Sequence, residues 1–386
     1  MMKAILLTGP RAVTITEVDP PEPGPGEVLV RVGLLGLCGT DLGFYDGSSN
    51  YLRDGLKSYP FVPGHEWIGT VTGLGPGADP VLLGQRVAGH NFRVCGRCPH
   101  CRANRVRYCP DRSEIGVLGP LPGAGAELIT APVSTLTRIP DALSDTAGAL
   151  LEPTAAAVHA VDRIAVTARD RVAVLGAGTL GLAAAQVARA VGAATVVYDP
   201  QPGARELAHH LGLTAAEPAA DDEETYDAVI EASGSVAAVR SAVRLVADGG
   251  RVAQLGTPHR AVDGFDAAGL VIRDVTLHGV LSGLGHWDRL VGLVGSGAVN
   301  LDALVDRVFP LDGLDAAFAR LTDGERARPK VLVQLDPALG GSADPRAGTD
   351  PALRDPADSR VLTGPGSRGA AGARAATGGA AAGESR

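Results

Sequence analysis

Hydrophobic and polar positions divide the chain into two parts with different patterns. Up to about residue 135, the apolar positions form short, Val-rich, partly alternating runs that clusters such as PPEPGPGE separate. These runs are AVTITEVD, EVLVRVGLL, EWIGTVTGLG and QRVAGH. Alternation with a period of two is typical of strands buried on one face, and frequent turn residues favour a compact barrel. The first part is therefore predicted to be a β-rich, barrel-like domain.

From about residue 155 the pattern changes to an alternation of strands and helices. RVAVLGAG, ATVVYD, YDAVIEA and GRVAQLG read as strands, and between them LGLAAAQVARAVGA, GARELAHHLG and VAAVRSAVRLVADG read as helices. Strands that alternate with helices at this pace are typical of a doubly wound parallel sheet, so the predicted fold class is α/β. A closing section after about residue 297 ends in the predicted strand PKVLVQL.

The segment 336–386 has a different composition from the rest of the chain. It consists mostly of Ala, Gly, Pro, Arg, Asp and Ser, and it contains no aromatic residue. Such a segment cannot bury enough apolar surface to offset the entropy lost on ordering. We therefore predict that it is disordered.

Composition and charge narrow the class of protein. The chain has 386 residues, of which 45% are hydrophobic and 20% charged, and this length predicts two domains. A net charge of −8 argues against nucleic acid as the main partner. No apolar run approaches the length of about 20 residues that a membrane span needs, and MMKAILLTGP does not resemble a secretory signal. Five cysteines in this arrangement favour reduced metal ligands, and we expect a cytoplasmic protein.

Four of the cysteines lie close together in CGRCPHCRANRVRYC. Cys95, Cys98, Cys101 and Cys109 have Cx2Cx2Cx7C spacing, which lets four thiolates surround one tetrahedral ion with no open position. The predicted occupant is a structural zinc ion. An iron–sulfur cluster, a nucleic-acid-binding zinc ribbon and four unrelated thiols are the alternatives. The acidic chain argues against a zinc ribbon that binds nucleic acid, and the regular spacing argues against unrelated thiols.

A glycine-rich turn follows the strand RVAVL. In GAGTLG, the glycines Gly176, Gly178 and Gly181 have GxGxxG spacing, with Leu180 inside the motif, and an Ala-rich helix follows. The first glycine permits the turn, the second lets the backbone approach a pyrophosphate, and the third allows close helix packing. Asp199 ends the next strand, where a carboxylate would bind the adenosine ribose hydroxyls and repel a 2′-phosphate. The motif predicts a dinucleotide site that prefers NAD to NADP, although a solvated strand-end acid is the alternative for Asp199.

The fifth cysteine, Cys38 in GLCGTD, is far from the other four. A catalytic zinc site needs about three protein ligands, which can come from distant segments, and an open position. His65 and Glu66 in PGHEW and Glu152 in LLEPTAAAVHA are candidates to join it. Each residue also has an ordinary interpretation, such as a buried thiol, a turn histidine or a helix cap. Spacing alone does not choose between them.

The order of these motifs resembles the zinc-dependent medium-chain alcohol dehydrogenases. GLCGTD, PGHEW, the four-cysteine loop, EP followed by VHA, and GAGTLG occur in the same order as in that family, over roughly residues 2–335. The resemblance implies a GroES-like barrel as the catalytic domain and a Rossmann NAD-binding domain inserted before the last strands. It implies the domain limits 1–155 and 156–296, a return to the catalytic domain over 297–335, and the tail 336–386.

The same resemblance implies the catalytic residues. Cys38, His65 and Glu152 match the ligands of the catalytic zinc, so the chain is expected to hold two zinc ions. Glu66 matches a neighbouring or exchangeable fourth ligand, but adjacent residues on a regular strand point to opposite faces, so it can join His65 only if the backbone is irregular. Glu rather than Cys at position 152 resembles the polyol dehydrogenase branch. Thr40 matches the residue that accepts the substrate hydroxyl proton.

The chain departs from many relatives at one position of the proton relay. Gly43 stands where they carry a histidine, so water, Tyr45 or the substrate itself would complete the relay. In this feature, and in DLGFYDG and YPFVPGHEW, the chain most resembles 2-deoxy-scyllo-inosamine dehydrogenases of aminoglycoside antibiotic biosynthesis. The resemblance implies oxidation of an aminocyclitol hydroxyl to an amino-ketone with NAD(P)+.

Other functions remain open from the sequence. Sorbitol-, glucose- or L-threonine-type zinc dehydrogenases are close alternatives, and a non-catalytic, zinc-stabilised NAD-binding protein is an alternative of another class. The expected partners are a small polyol or aminocyclitol substrate and further copies of the chain in a homodimer or homotetramer, without nucleic acid or membrane.

Overall fold

The computed structural model describes residues 1–218, 226–323 and 326–337. Of the segment predicted to be disordered, residues 338–386 lie outside the described part. None of the described helices is long and apolar enough to cross a membrane.

The described residues form seventeen strands and eleven α-helices. The strands are β1 (Met2–Gly9), β2 (Ala12–Val18), β3 (Glu27–Leu37), β4 (Glu66–Leu74), β5 (Arg86–Gly89), β6 (Phe92–Arg93), β7 (Ser113–Glu114), β8 (Leu128–Pro132), β9 (Leu136–Arg138), β10 (Arg171–Leu175), β11 (Ala194–Tyr198), β12 (Thr214–Ala216), β13 (Tyr226–Glu231), β14 (Val246–Gln254), β15 (Thr276–Gly279), β16 (Val305–Pro310) and β17 (Lys330–Gln334). The helices are α1 (Gly39–Asp46), α2 (Asn50–Arg53), α3 (Pro99–Arg102), α4 (Asp145–Ala149), α5 (Leu151–Arg163), α6 (Thr179–Val191), α7 (Pro202–His210), α8 (Val236–Leu245), α9 (Ala267–Ile272), α10 (Trp287–Gly295) and α11 (Leu314–Thr322).

The first part of the chain builds a seven-stranded sheet. Its order is β16-β17-β3-β4-β5-β9, and β8 also pairs with β3. The strand β3 is central because its alternating Val and Leu side chains are buried in a core that includes Trp67 and Phe318. Two short antiparallel pairs, β1-β2 and β6-β7, complete this part. The last strands, β16 and β17, return to this sheet, and β17 pairs antiparallel with β3.

The second part is a six-stranded sheet in which every pairing is parallel. Its order is β12-β11-β10-β13-β14-β15, which is the strand order of a Rossmann fold. Short apolar strands such as β10 are buried, as expected for a sheet that helices cover. The predicted α/β fold class, with a doubly wound parallel sheet, is confirmed.

One predicted boundary differs from the structure. The sequence VAAVRSAVRLVADG reads as one helix, but α8 ends at Leu245 and β14 already begins at Val246. The pairing register between β13 and β14 shifts between Tyr226 and Ala228, so the first residues of β14 pair irregularly with β13. The apolar residues of VADGG fit a helical pattern and a strand pattern equally well, and pairing with β13 decides between them.

Helix α5 joins the two parts. Most of its side chains are buried, and they belong to a core that includes residues of the first sheet, such as Ile68, and of the second, such as Val172. The helix packs on α6 and contacts β4. Because Glu152 lies in its first turn, α5 fixes the position of this side chain relative to both sheets.

Candidate active site and metal centres

The four-cysteine loop forms a compact cluster. The sulfur atoms of Cys95, Cys98, Cys101 and Cys109 all lie within 4.8 Å of one another. The Sγ atoms of Cys95 and Cys109 are 3.6 Å apart, and those of Cys95 and Cys101 are 4.0 Å apart. Four sulfurs at zinc–sulfur distances of about 2.3 Å around a tetrahedral ion would be separated by about 3.8 Å. The cluster therefore fits a zinc ion without rearrangement.

The electrostatics of this cluster also favour a cation. Backbone amides of Arg97 and Cys98 donate to the sulfur of Cys95 and lower its pKa to about 7. Desolvation raises the pKa of Cys101 to about 12, and a hydrogen bond with the neighbouring Cys98 thiol adds to this effect. Four sulfurs this close cannot all ionise unless a positive charge is added, and a divalent ion supplies that charge.

Cys38 lies at the start of α1. It is the N-cap residue of that helix, and its sulfur accepts a hydrogen bond from the backbone N–H of Thr40 at 3.2 Å. The carboxylate of Asp41 accepts from the backbone N–H of Cys38 at 3.0 Å, which completes a capping box. The thiol is thereby held at the end of β3 and cannot turn freely.

His65 lies opposite this thiol. The residue precedes the first residue of β4, and Gly64 before it has a φ of 97°, so the backbone there is not a regular strand. The Nε2 atom of His65 is 3.3 Å from the Sγ of Cys38, and its Nδ1 is 4.0 Å from Asp41. Burial lowers the pKa of His65, but the charges of Cys38 and Asp41 outweigh this effect and raise that pKa well above its usual value.

Glu152 completes the group from helix α5. The ligand atoms of His65, Glu66 and Glu152 lie within 4.8 Å of one another, and so do those of Cys38, Asp41 and His65. Burial raises the pKa of Glu152 to about 7, although the nearby charge of His65 lowers it in part. The two groups share His65, which lies within this distance of Cys38 after β3 on one side and of Glu152 in α5 on the other.

These residues fit a second zinc ion. A sulfur and a nitrogen ligand on one tetrahedral zinc would be separated by about 3.6 Å, close to the 3.3 Å between Cys38 and His65. Thiolate, imidazole and carboxylate are the ligands that zinc accepts, and three of them leave one position open. The Nδ1 of His65 has no hydrogen-bond partner within the described residues, but Asp41 faces it, as carboxylates commonly do behind a metal-bound histidine.

Glu66 is engaged elsewhere in this structure. Its Oε2 atom accepts a hydrogen bond from Nζ of Lys330, which also donates to the carbonyl of Leu37 at 3.2 Å. Both side chains of this ion pair are 2% exposed. A carboxylate oxygen of Glu66 nevertheless lies within 4.8 Å of ligand atoms of His65 and Glu152, so Glu66 is close enough to act as an exchangeable fourth ligand.

The glycine-rich turn has the geometry that its sequence predicts. It connects β10 to α6, and Gly178 is the N-cap of that helix. A Cβ atom on Gly181 would lie 1.8 Å from the carbonyl oxygen of Gly176, so the turn requires a glycine there. A Cβ atom on Gly178 would meet nothing within 4 Å, so the space in front of the helix N-terminus is open. Leu180 is half-buried and packs against the hydrophobic core.

Asp199 lies beside this turn. One oxygen of its carboxylate accepts from the backbone N–H of Ala177 at 2.7 Å, and the other accepts from that of Gln201 at 2.8 Å. Asp199, Ala177 and Gly178 line a cleft of about 880 Å³ between the two parts of the molecule, together with Tyr45 and Phe318. A pyrophosphate at the helix N-terminus and a ribose at the carboxylate fit this arrangement.

Thr40 and the positions of the expected relay lie on α1. Thr40 is two residues from Cys38 and half-buried. Gly43 is packed against Ser49, since a Cβ there would lie 3.5 Å from the Ser49 Cα. Tyr45 stacks on Phe318 with 4.3 Å between ring centroids, and it lines the cleft.

Two functional candidates in this region are missed by sequence analysis. Lys330 begins β17 and reaches Glu66 from a position 264 residues away. Glu114 in β7 is 4% exposed, and its carboxylate influences the pKa of Glu152. The scarcity of lysine was a usable signal for Lys330, since the chain has three lysines, whereas nothing in the sequence distinguishes Glu114 from other acids.

Comparisons with known proteins agree with this geometry. The family model described as the alcohol dehydrogenase GroES-like domain matches residues 24–141, and the model described as zinc-binding dehydrogenase matches residues 179–296. Among curated proteins, 2-dehydro-3-deoxy-L-galactonate 5-dehydrogenase of Pseudoalteromonas atlantica is 30% identical over 346 residues, which cover 87% of this chain and 99% of the relative. L-threonine 3-dehydrogenase of Escherichia fergusonii is 31% identical over 352 residues, which cover 87% and 100%.

A solved structure is also similar over most of the chain. A protein described as a zinc-binding dehydrogenase from Sinorhizobium meliloti, bound to NADP, superposes with a TM-score of 0.78 at 31% identity and covers 86% of this chain and 99% of its own.

The chain belongs to the zinc-dependent medium-chain alcohol dehydrogenase family. It is an NAD(P)-dependent oxidoreductase that acts on an alcohol group, and its cofactors are zinc and NAD(P). The predicted enzyme class and cofactors are thereby confirmed. The non-catalytic alternative is not supported, because the matching relatives are dehydrogenases.

Proposed function

We propose that the chain oxidises a secondary alcohol of a cyclitol or polyol to a ketone, with 2-deoxy-scyllo-inosamine as its substrate in aminoglycoside antibiotic biosynthesis. The observation that supports the reaction type is that His65 lies within 4.8 Å of ligand atoms of both Cys38 and Glu152. A thiolate, an imidazole and a carboxylate on one zinc ion would leave one position open. The choice of the aminocyclitol rests on the sequence resemblance around DLGFYDG and on glycine at position 43.

In this proposal Cys38, His65 and Glu152 hold the catalytic zinc, and Asp41 keeps the ring of His65 in place. The cysteines Cys95, Cys98, Cys101 and Cys109 hold the structural zinc. Zinc would supply a Lewis acid that lowers the pKa of the substrate hydroxyl, and NAD(P)+ would supply the hydride acceptor.

The chain's own residues would remove the proton. The hydroxyl loses its proton and the carbinol carbon loses a hydride, so that a ketone, NAD(P)H and one proton are formed. Thr40 stands two residues after Cys38 and would accept the hydroxyl proton first. A histidine is not available at position 43, and Tyr45 or water in the cleft would pass the proton to solvent.

We propose that Gly176, Gly178, Leu180, Gly181 and Asp199 form the cofactor site and that NAD is preferred. The carboxylate of Asp199 would accept the ribose hydroxyls and would repel a 2′-phosphate. The Sinorhizobium meliloti relative was solved with NADP, so initial rates with NAD+ and NADP+ test this preference.

The relatives offer a second candidate substrate class. One relative is an L-threonine 3-dehydrogenase and another acts on a sugar acid, at 31% and 30% identity. Threonine and sugar acids therefore stand beside sorbitol and glucose as alternatives.

The decisive assay follows NAD+ reduction by absorbance. 2-Deoxy-scyllo-inosamine is compared with sorbitol, glucose, L-threonine and 2-dehydro-3-deoxy-L-galactonate, each with and without a zinc chelator. We expect turnover of the aminocyclitol that the chelator abolishes. Turnover of only one of the other compounds would identify that compound as the substrate and leave the zinc chemistry unchanged. Turnover that resists the chelator would contradict the proposed zinc site.

Metal analysis provides a matched test of the ligands. Cys38→Ser should lose one of two zinc ions together with activity, and Cys98→Ser should lose the other together with stability. Two zinc ions retained in Cys38→Ser would remove Cys38 from the ligand set.

We also propose the domain limits 1–155, 156–296 and 297–335, a cytoplasmic location, and a homodimer or homotetramer. The return of β16 and β17 to the first sheet supports the limits. Exposed apolar side chains around the sheet edge at β15 support self-association.

A further inference from the structure

Arg107, in the four-cysteine loop, reaches into the cofactor-binding part of the molecule. It lies in a short turn, Val106–Tyr108, two residues before Cys109. One terminal nitrogen of its guanidinium group donates to the carbonyl oxygen of Leu284 at 3.2 Å, and the other is 3.1 Å from Nε2 of His159. A single side chain thus joins the proposed structural zinc loop to helix α5 and to the residues that follow β15.

His159 extends this connection to residues 280–286, the segment that follows β15 and is named the β15 loop. The Nδ1 atom of His159 is 2.7 Å from the carbonyl oxygen of Ser282. A carbonyl oxygen only accepts hydrogen bonds, so Nδ1 carries the hydrogen, and Nε2 accepts from Arg107. His159 is 6% exposed, and its ring stacks on that of His286 with 4.9 Å between the centroids. Both nitrogen atoms of this buried ring therefore help to hold the loop.

The β15 loop is fitted tightly to α5. Ser282 has a φ of 58°, in the left-handed region that a serine keeps only where its surroundings impose it. A Cβ atom on Gly283 would lie 2.1 Å from the carbonyl carbon of Ala155, so the backbone of the loop packs directly on the helix. The Nδ1 atom of His286 is 3.0 Å from a carboxylate oxygen of Asp162, which also belongs to α5. Contacts at three positions thus define the conformation of the loop.

The loop lies on the face of α5 that carries Glu152. Glu152, Ala155 and His159 have the spacing i, i+3 and i+7, which places them on one face of a helix. Gly283 packs on Ala155, and Ser282 accepts from His159. The β15 loop therefore lies along this face, within two helical turns of the carboxylate that is proposed to bind the catalytic zinc.

Strand pairing also places the loop at the edge of the sheet where the cofactor is proposed to bind. The last residues of β10, β13, β14 and β15 pair with one another in register, and they are Leu175, Glu231, Gln254 and Gly279. They form a row along the carboxyl edge, where nucleotides bind in folds of this type. In the proposed cofactor site, Asp199 after β11 binds the adenosine ribose on one side of β10. A dinucleotide with its pyrophosphate at the turn after β10 then extends its nicotinamide toward β13, β14 and β15.

We propose that Arg107 and His159 are positioning residues that fix the β15 loop against the nicotinamide ring, so that the four-cysteine loop sets the geometry of hydride transfer. The inference rests on the proposed function, since it takes the cofactor and the alcohol to bind at the proposed sites. Without these two side chains, the loop loses the hydrogen bonds to its carbonyl oxygens at Ser282 and Leu284. A displacement of about 1 Å between reacting groups is enough to slow a reaction by about 100-fold.

The test uses the full chain loaded with zinc, and the emission spectrum of bound NADH, which reports the surroundings of the nicotinamide ring independently of turnover. Arg107→Met removes both contacts of the guanidinium group. His159→Phe keeps a flat ring but loses the bond to Ser282, and it tests the same loop away from the metal ligands. His159→Asn retains an N–H donor near the position of Nδ1 and is the conservative variant. Arg105→Met, at an exposed arginine of the four-cysteine loop, is the matched control.

For the wild type and Arg105→Met, we expect bound NADH to emit at shorter wavelength than free NADH, because the loop shields the ring from water. Arg107→Met and His159→Phe should shift the emission back toward that of free NADH, and His159→Asn should retain most of the wild-type shift. On the alcohol that the wild type oxidises, kcat should fall by about 10- to 100-fold in Arg107→Met and His159→Phe. KM for NAD+ should change by less than about 3-fold, since the contacts at the glycine-rich turn are intact.

An emission shift and a kcat that stay at wild-type values in both Arg107→Met and His159→Phe would overturn the inference, even if the melting temperature falls, because the contacts would then serve stability alone. An emission spectrum of NADH on the wild-type protein that equals that of free NADH would overturn it as well. Absence of turnover by the wild type on every alcohol, with an emission shift that depends on Arg107 and His159, would support the inference and contradict the proposed substrates.

Discussion

Lys330 and Glu66 form the most deeply buried ion pair among the residues that the structure describes. Lys330 also donates to the carbonyl of Leu37, so its ammonium group links β17 to the end of β3, immediately before Cys38. Burial lowers the pKa of Lys330, but the charges of Glu66 and Cys38 outweigh this effect and raise it. The lysine therefore stays charged and compensates the acidic residues around the proposed catalytic zinc.

We predict that Lys330→Met lowers the free energy of unfolding by about 3–5 kcal/mol, because it leaves the Glu66 carboxylate buried without a partner. Lys330→Met combined with Glu66→Gln should recover most of this loss, since both charges are then absent. Urea unfolding of the zinc-loaded proteins measures both effects. Lys3→Met, at an exposed lysine, is the control and should change little. A Lys330→Met variant as stable as this control would show that the pair contributes nothing.

At this scale, sequence analysis succeeds where spacing carries the information. Cys95 to Cys109 lie within one short loop, so local chain geometry brings the sulfurs together. Cys38, His65 and Glu152 needed the family resemblance, because three separate elements have to meet before they form a group. Lys330 could not be assigned from spacing, since the pairing of β17 with β3 alone brings it near Glu66.

In the glycine-rich turn, backbone groups rather than side chains form the proposed cofactor site. The N–H groups at the start of α6 face the open space beside Gly178, and the helix dipole adds positive potential there. The two glycines Gly178 and Gly181 fulfil different requirements. The first leaves space for a ligand, and the second prevents a collision with the carbonyl of Gly176.

We predict that Gly178→Ala folds as the wild-type protein does but binds NAD+ at least about 10-fold more weakly, because its methyl group occupies the space expected for the pyrophosphate. Gly181→Ala should lower the melting temperature as well, since its Cβ would lie 1.8 Å from a backbone oxygen. Calorimetry with NADH and thermal unfolding measure the two effects. Gly292→Ala on α10, where a Cβ also meets nothing within 4 Å, is the control. Unchanged affinity in Gly178→Ala would place the cofactor elsewhere.

Elements were predicted best where one pattern dominates. The apolar strand β10 and the Ala-rich helix α6 follow from their sequences, because burial on both faces and a helical stripe give distinct patterns. The two-residue strands β6 and β7 are too short to produce any pattern, yet they carry Glu114. The boundary between α8 and β14 depends on pairing with β13, which a local pattern does not contain.

The whole molecule leaves one edge of the second sheet uncovered by described residues. The strand β15 pairs with β14 on one side and forms the end of the sheet order. Around it, Val271 and Ile272 of α9 are each 82% exposed, and Leu277 and Leu281 are also exposed. An exposed strand edge flanked by apolar side chains favours association, and a second copy of the same edge can pair with it antiparallel about a two-fold axis.

We therefore predict that the chain self-associates through this edge and that Val271→Glu combined with Ile272→Glu prevents it. Burying two carboxylates in each half of a symmetric contact carries a large desolvation penalty, and the like charges would face one another. Light scattering coupled to size-exclusion chromatography should give at least a two-fold lower mass for this variant than for the wild type. Val81→Glu, at an exposed apolar position of the first part of the chain, controls for added charge and should leave the mass unchanged. A monomeric wild-type protein, or a variant that keeps the wild-type mass, would show that the edge is not the contact.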